Sequence, residues 1–233
     1  MAMNIQQRKA LADRLEDILP QTQCTKCSYP DCRAYAEALA CGEALPNRCP
    51  PGGVEGIKRL SAILIPIFPR DAFELHPTID PECGVERPRP VAFIDSKTCI
   101  GCTLCIQACP VDAIVGASKQ MHVVLSDWCT GCDLCIPPCP VDCITMVAVT
   151  QNQTGWDAWS PELAQSARTR YATRDTRLDR EQRDNDERLA QKAAAKLVAV
   201  NAEDPDSEAG KKEQERKRAI IAAAIARAQN KKL

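Results

Sequence analysis

The 233-residue sequence predicts an α+β fold in three parts: a small helical region, a compact pair of strand-and-loop repeats, and a charged tail that is helical or partly disordered. Three observations carry this reading. All fifteen cysteines lie between Cys24 and Cys143. The stretch "CIGCTLCIQACPVDAIV" at 99–115 returns thirty residues later as "CTGCDLCIPPCPVDCIT" at 129–145, with eleven of seventeen positions identical. The last ninety residues have no cysteine and are rich in Arg, Lys, Asp, Glu, Gln and Ala.

The helical region comes first. Leu11, Leu15, Ile18 and Leu19 recur at helical spacing, and Pro20 stops that helix. A second helix is expected over Arg33–Cys41, with Asp31 near its start and Gly42 as its stop; a third covers Val54–Ile65 with Ile57, Leu60 and Leu64 on one face. The cysteines fall between these helices. Prolines and charges in "ECGVERPRP", 82–90, interrupt any regular element. Strands are then expected at 91–95 and 121–126, before the two cysteine runs, and at "AIV" and "CITMV" after them, so that each repeat reads strand, loop, short helix, strand. The tail shows two narrow apolar stripes, one around Leu189 to Val200 and one around Ile220 to Ile225, joined by the linker "NAEDPDSEAG". The expected domains are 1–82, 90–149 and 150–233.

Composition excludes several classes. With 30 basic and 31 acidic side chains the net charge is −1, so no nucleic-acid partner is expected from bulk electrostatics. The first residues have no apolar core of a secretory signal. The longest apolar runs, 62–68 and 219–226, fall far short of the roughly 20 residues a membrane-spanning helix needs. A cytoplasmic location follows, and in a reducing compartment a dense cysteine set binds metal rather than forming disulfides. No Gly-rich phosphate loop or nucleophile–base pair is present, so no substrate site is expected.

Each repeat has the spacing C-x2-C-x2-C-x3-C-P, the pattern of bacterial two-cluster iron–sulfur proteins in which the fourth cysteine ligates the other cluster. Three thiolates on one tight loop can hold three irons of a cube, and a loop that short does not also reach the fourth. Cluster one is therefore expected to take Cys99, Cys102, Cys105 and Cys139, and cluster two Cys129, Cys132, Cys135 and Cys109. Gly101 and Gly131 are expected to let the backbone turn sharply beside each cluster. Zinc prefers two separated C-x2-C pairs, which three cysteines within seven residues do not supply. Cys143, at the place of Ala113 in the first repeat, is expected to be a small core residue, and Ile100, Ile106, Ile114, Ile136 and Ile144 to surround the cubes.

The N-terminal region offers five cysteines for four places: Cys24, Cys27, Cys32, Cys41 and Cys49. Spacing alone leaves iron–sulfur and zinc both open there. Trp156 and Trp159 are expected to pack the start of the tail onto the repeats, Trp128 to shield a cluster, and His76 and His122 to be structural.

The stretch from "CTKCSYPDCRAYAEALACGEALPNRCPPGG" through both cysteine runs, about residues 20–147, resembles the iron–sulfur B subunit of the Rnf/Rsx ion-translocating electron transport complex. The resemblance implies a small helical 4Fe-4S domain followed by a two-cluster bacterial ferredoxin-like domain. It also implies a 4Fe-4S cluster on Cys24, Cys27, Cys32 and Cys49, three clusters in all, with Cys41, Cys83 and Cys143 as spares. It further implies an electron carrier among ferredoxin, other Rnf/Rsx-type subunits or redox proteins and a nicotinamide couple, within an ion-translocating oxidoreductase. Members of that family open with an apolar anchor. This chain is expected to be a variant lacking it, peripheral on the cytoplasmic face of the inner membrane. The alternative is a freestanding soluble polyferredoxin serving other redox enzymes.

Overall fold

The computed structural model describes residues 3–68, 77–205 and 207–230; His76 lies outside them. Two compact units are present, Met1–Arg174 and Asp175–Leu233.

In the first unit, α1 (Ile5–Glu16) starts at a capping box in which Asn4 and Gln7 bond each other's backbone amides. α2 (Cys32–Cys41) is capped by Asp31, whose carboxylate accepts the Ala34 amide, and ends at Gly42 with φ 73°. α3 (Gly53–Leu64) follows the turn at Pro50–Gly52. Leu11, Leu15, Leu19, Leu39, Leu60 and Leu64 form one buried core with Tyr35, whose hydroxyl donates to the Leu45 carbonyl at 2.7 Å.

The repeats build two short antiparallel ladders. β1 (Pro90–Ile94) pairs with β4 (Ile144–Ala148), and β2 (Ile114–Val115) with β3 (Val123–Val124), so each ladder joins strands from both repeats. β3 is shorter than the expected 121–126. The first repeat has a helix, α4 (Leu104–Ala108), and the second has only turns at that point. Pro137 and Pro138 stand where Gln107 and Ala108 do. Gln107 donates its amide to Thr103, and a proline has no N–H to repeat that bond.

α5 (Pro161–Ala202) begins at Ser160, whose hydroxyl accepts the Leu163 amide, with Pro161 in the first helical position. Its first turns bind both cysteine regions. Arg168 pairs with Asp17 at 2.7 Å, and Arg174 donates to the Gln107 carbonyl. Trp159 is buried in the repeat core yet donates its indole N–H to the Pro20 carbonyl at 2.7 Å. Trp156, partly buried, packs against the same repeat core as expected, and Arg59 of α3 also lies over its ring at 4.9 Å.

In the second unit, α6 (Glu208–Asn230) follows a turn shorter than the ten residues read as linker. Gln214 closes that turn by donating to the carbonyls of Val200 and Glu203. Both tail segments are thus helical, with Leu189 and Ile220 exposed. No helix among the described residues is long and apolar enough to cross a membrane.

Candidate iron–sulfur centres

The two cysteine loops share one backbone conformation. Gly101 and Gly131 have φ 70° and 69°, Thr103 and Asp133 66° and 68°, Asp112 and Asp142 51° and 49°. Each first cysteine is held alike: the Cys99 amide donates to Asp95 at 3.0 Å, and the Cys129 amide to Leu125 at 3.1 Å. The φ values of both glycines are the sharp turn expected of them, and each glycine also allows a close backbone contact. A Cβ on Gly101 would lie 2.5 Å from the Gln120 amide nitrogen, and one on Gly131 2.5 Å from the Pro90 carbonyl, so each loop packs against the backbone of the strand side of the other ladder.

Cys109, Cys129, Cys132 and Cys135 line one small apolar cavity, together with Val111, Ala113 and Ile114. Cys109, from the first repeat, is thereby brought to the loop of the second. Its sulfur accepts the Ala113 amide at 3.2 Å, and that of Cys129 accepts the Ala92 amide at 3.5 Å. Cys99, Cys102 and Cys105 are electrostatic neighbours on the first loop, and Cys143 interacts with both Cys99 and Cys139, which joins Cys139 to that group. Ile114 and Ile144 are buried beside these sites, whereas Ile100, between Cys99 and Cys102, is 56% exposed rather than part of an apolar shell.

A second small cavity is lined by Cys24, Cys27, Cys32 and Cys49 with Leu19, Tyr35 and Pro50. Cys41 lies exposed at the end of α2 and does not line it. Cys83 is buried close enough to Cys24 to feel its charge.

Burial dominates these thiols. It pushes Cys27 up to about 11, and Cys132 and Cys135 up to about 12, with neighbouring cysteines adding to the rise at each. A thiolate at such a place needs a cationic partner, which iron supplies. Cys139 is held lower, the amides of Val141 and Cys143 outweighing its burial, while burial pushes Cys143 up. Among the described residues no three His, Cys, Asp or Glu side chains converge on a single ion. Four cysteines around one lining, in each of these two places, are the donor set that a 4Fe-4S cluster takes.

Residues not singled out in the sequence join the regions. Asp133, next to Cys132, accepts from Lys26 at 2.7 Å and from Arg87 at 2.7 Å, and Thr130 donates to the Thr22 carbonyl at 2.9 Å. Burial alone would raise the Asp133 carboxyl; the two cations outweigh it and hold it below its ordinary value. His122, expected to be merely structural, is 2% exposed with Nδ1 3.2 Å from the Cys105 sulfur. The signal that could have found it is its alignment with Ala92 in the other repeat.

A family model for a 4Fe-4S dicluster domain matches residues 92–146, and one described as "Putative Fe-S cluster" matches residues 19–51. The chain is 58% identical over 146 residues to a protein of Thiobacillus denitrificans, covering 63% of this chain and 73% of the relative. It is 55% identical over 115 residues to one of Azoarcus sp., covering 49% and 58%, and 51% identical over 155 residues to one of Stutzerimonas stutzeri, covering 66% and 75%. All three are named as the B subunit of an ion-translocating oxidoreductase complex. With both iron–sulfur regions matched and nearly three quarters of the first relative spanned, the chain belongs to the B-subunit family of Rnf-type ion-translocating oxidoreductase complexes, the iron–sulfur electron-transfer subunits of those assemblies.

Proposed function

We propose that this chain carries electrons through three 4Fe-4S clusters as the B subunit of a membrane-associated Rnf/Rsx-type complex linking ferredoxin and nicotinamide pools. The N-terminal domain, 1–82, holds one cluster on Cys24, Cys27, Cys32 and Cys49. The domain at 90–149 holds two, on Cys99, Cys102, Cys105 and Cys139 and on Cys109, Cys129, Cys132 and Cys135. Residues 150–233 form the charged tail. Each 4Fe-4S cluster supplies a one-electron centre when bound.

The observation that carries this reading is the contact of the Cys129–Cys135 loop with the N-terminal loop, through Thr130 to Thr22 and Asp133 to Lys26. It supports an order of sites along the chain: N-terminal, then the Cys129 loop, then the Cys99 loop. The protein's own contribution is threefold. Thiolates hold the irons, amides of Ala92 and Ala113 donate to the sulfurs, and the ion pairs of Asp133 fix the spacing of the first two sites. The names of the relatives support partnership with the other subunits of such a complex and a part in ion translocation. In that reading the chain sits peripherally, at the cytoplasmic face of the inner membrane.

Iron, sulfide and zinc content of anaerobically purified protein, with low-temperature EPR after reduction, tests this. About twelve irons per chain and interacting signals of reduced cubanes are expected. About eight irons with one zinc would reduce the N-terminal site to a structural one and overturn the three-centre reading.

A further inference from the structure

The geometry points to two side chains, His122 and Cys143, that set the cluster on Cys99, Cys102, Cys105 and Cys139 at a higher reduction potential than its partner in the same domain. This rests on the ligand sets given above.

The repeat offers an internal control. Counting thirty residues between repeats, His122 corresponds to Ala92 and Cys143 to Ala113. The backbone confirms the equivalence: the Asp95 amide donates to the Cys143 carbonyl at 2.8 Å, and the Leu125 amide to the Ala113 carbonyl at 2.8 Å. At both places the second cluster meets alanine, which offers its sulfurs backbone amides only. At both places the first cluster meets a side chain with a proton to give.

His122 Nδ1 lies 3.2 Å from the Cys105 sulfur, and Cys143 Sγ lies 3.5 Å from the Cys139 sulfur. A sulfur bound to iron is an acceptor only, so the His122 proton is on Nδ1 and the shared proton of the cysteine pair is on Cys143. Among the described residues the imidazole makes no other bond, since Nε2 is buried without a partner there. Its ring is seated against Gly116, where any Cβ would collide with His122 Cδ2. The ring is thus held in place for a single contact, the one to sulfur.

Reduction adds an electron that is shared with the sulfur ligands, so a donor aimed at a ligand sulfur favours the reduced form and raises the potential. A thiol is the weaker donor of the two. His122 and Cys143 are positioning residues: each acts through a ligand and neither holds iron.

The test is an EPR-monitored redox titration of the full chain, anaerobically purified, comparing wild type with His122→Phe, His122→Asn, Cys143→Ala and the double variant His122→Phe/Cys143→Ala. His122→Phe keeps a ring and removes the donor; His122→Asn restores an N–H near the place of Nδ1. One midpoint should fall in His122→Phe by about the 59 mV that a tenfold change in a one-electron equilibrium represents. The same midpoint should fall less in Cys143→Ala, fall furthest in the double variant, and return toward wild type in His122→Asn. Other midpoints should hold. Unmoved midpoints with full iron content overturn the inference, as does an equal shift of every cluster. Should the ring substitution cost the cluster, Cys143→Ala decides alone, because alanine is what the other repeat carries there. Loss of cubane signals from wild type would instead defeat the ligand assignment itself.

Discussion

The Thr130 hydroxyl donates to the Thr22 carbonyl at 2.9 Å, which ties the residue after Cys129 to the residue two before Cys24. The bond is buried, and the neighbouring Asp133 doubles the tie by pairing with Lys26 and Arg87. Two cysteine regions a hundred residues apart in sequence thus meet beside Cys129 and within two residues of Cys24.

Asp133→Asn removes both ion pairs while keeping the side chain's shape. The groups are a quarter to two fifths exposed, so the expected loss is modest, about 0.2–1 kcal/mol for each pair. Because the folded carboxyl titrates below its ordinary value, the stabilisation is complete above the unfolded pKa of about 3.9 and is lost only as the pH falls through the lower folded value. The gap between wild-type and variant urea midpoints should therefore be constant from pH 5 to pH 9. A gap that closes within that range would contradict the ion-pair account.

Cys109→Ala and Cys143→Ala separate ligand from neighbour. Cys109 shares its cavity with Cys129, Cys132 and Cys135, so its loss should remove about four irons belonging to the other repeat's loop. Cys143→Ala should leave the iron count unchanged. Iron analysis of the two proteins side by side reads both outcomes; a full count in Cys109→Ala would refute the exchange of fourth ligands.

Much of this was legible in sequence because it is local. Asp31 and Gly42 cap α2 through bonds within four residues, and the spacing of each cysteine run is a property of one loop. The missing second helix was legible too, since Pro137 and Pro138 forbid the amide bond that Gln107 makes; the repeat's identity elsewhere obscured it. What could not be read is what depends on register and docking. Trp159 reaches Pro20 across 139 residues, and Thr130 reaches Thr22 across 108. Neither partner is a side chain, so no residue type announces the contact. His122 contacts Cys105 only because β3 places it there, and nothing in its own neighbourhood of the sequence marks it.

Tyr35→Phe tests the core of the N-terminal region. The hydroxyl donates to the Leu45 carbonyl and accepts the Arg48 amide at 3.3 Å, and the ring lines the cavity of Cys24, Cys27, Cys32 and Cys49. Removing the oxygen leaves two backbone groups unpaired in a part-buried site, at a cost of about 1–3 kcal/mol. The ring's packing survives, so the iron content should be unchanged while the urea midpoint falls. A midpoint equal to wild type would mean that water replaces the hydroxyl.

Loading and folding should respond to pH in opposite directions. Without iron, burial lifts Cys27 to about 11 and Cys132 and Cys135 to about 12 from an ordinary value of 9.0. The metal-free fold is fully stable with respect to these thiols below the unfolded value, and it loses that stability as the pH rises toward the folded ones, because only the unfolded chain ionises freely. Iron requires the thiolate, so each of these ligands releases a proton when a cluster forms, and cluster retention strengthens with pH over the same range. Metal-free protein should thus show a lower urea midpoint at pH 10 than at pH 7. Iron-loaded protein should lose visible absorbance to a chelator more slowly at pH 9 than at pH 6. If both forms weakened together as the pH rose, the buried thiols would not be the groups that hold the iron.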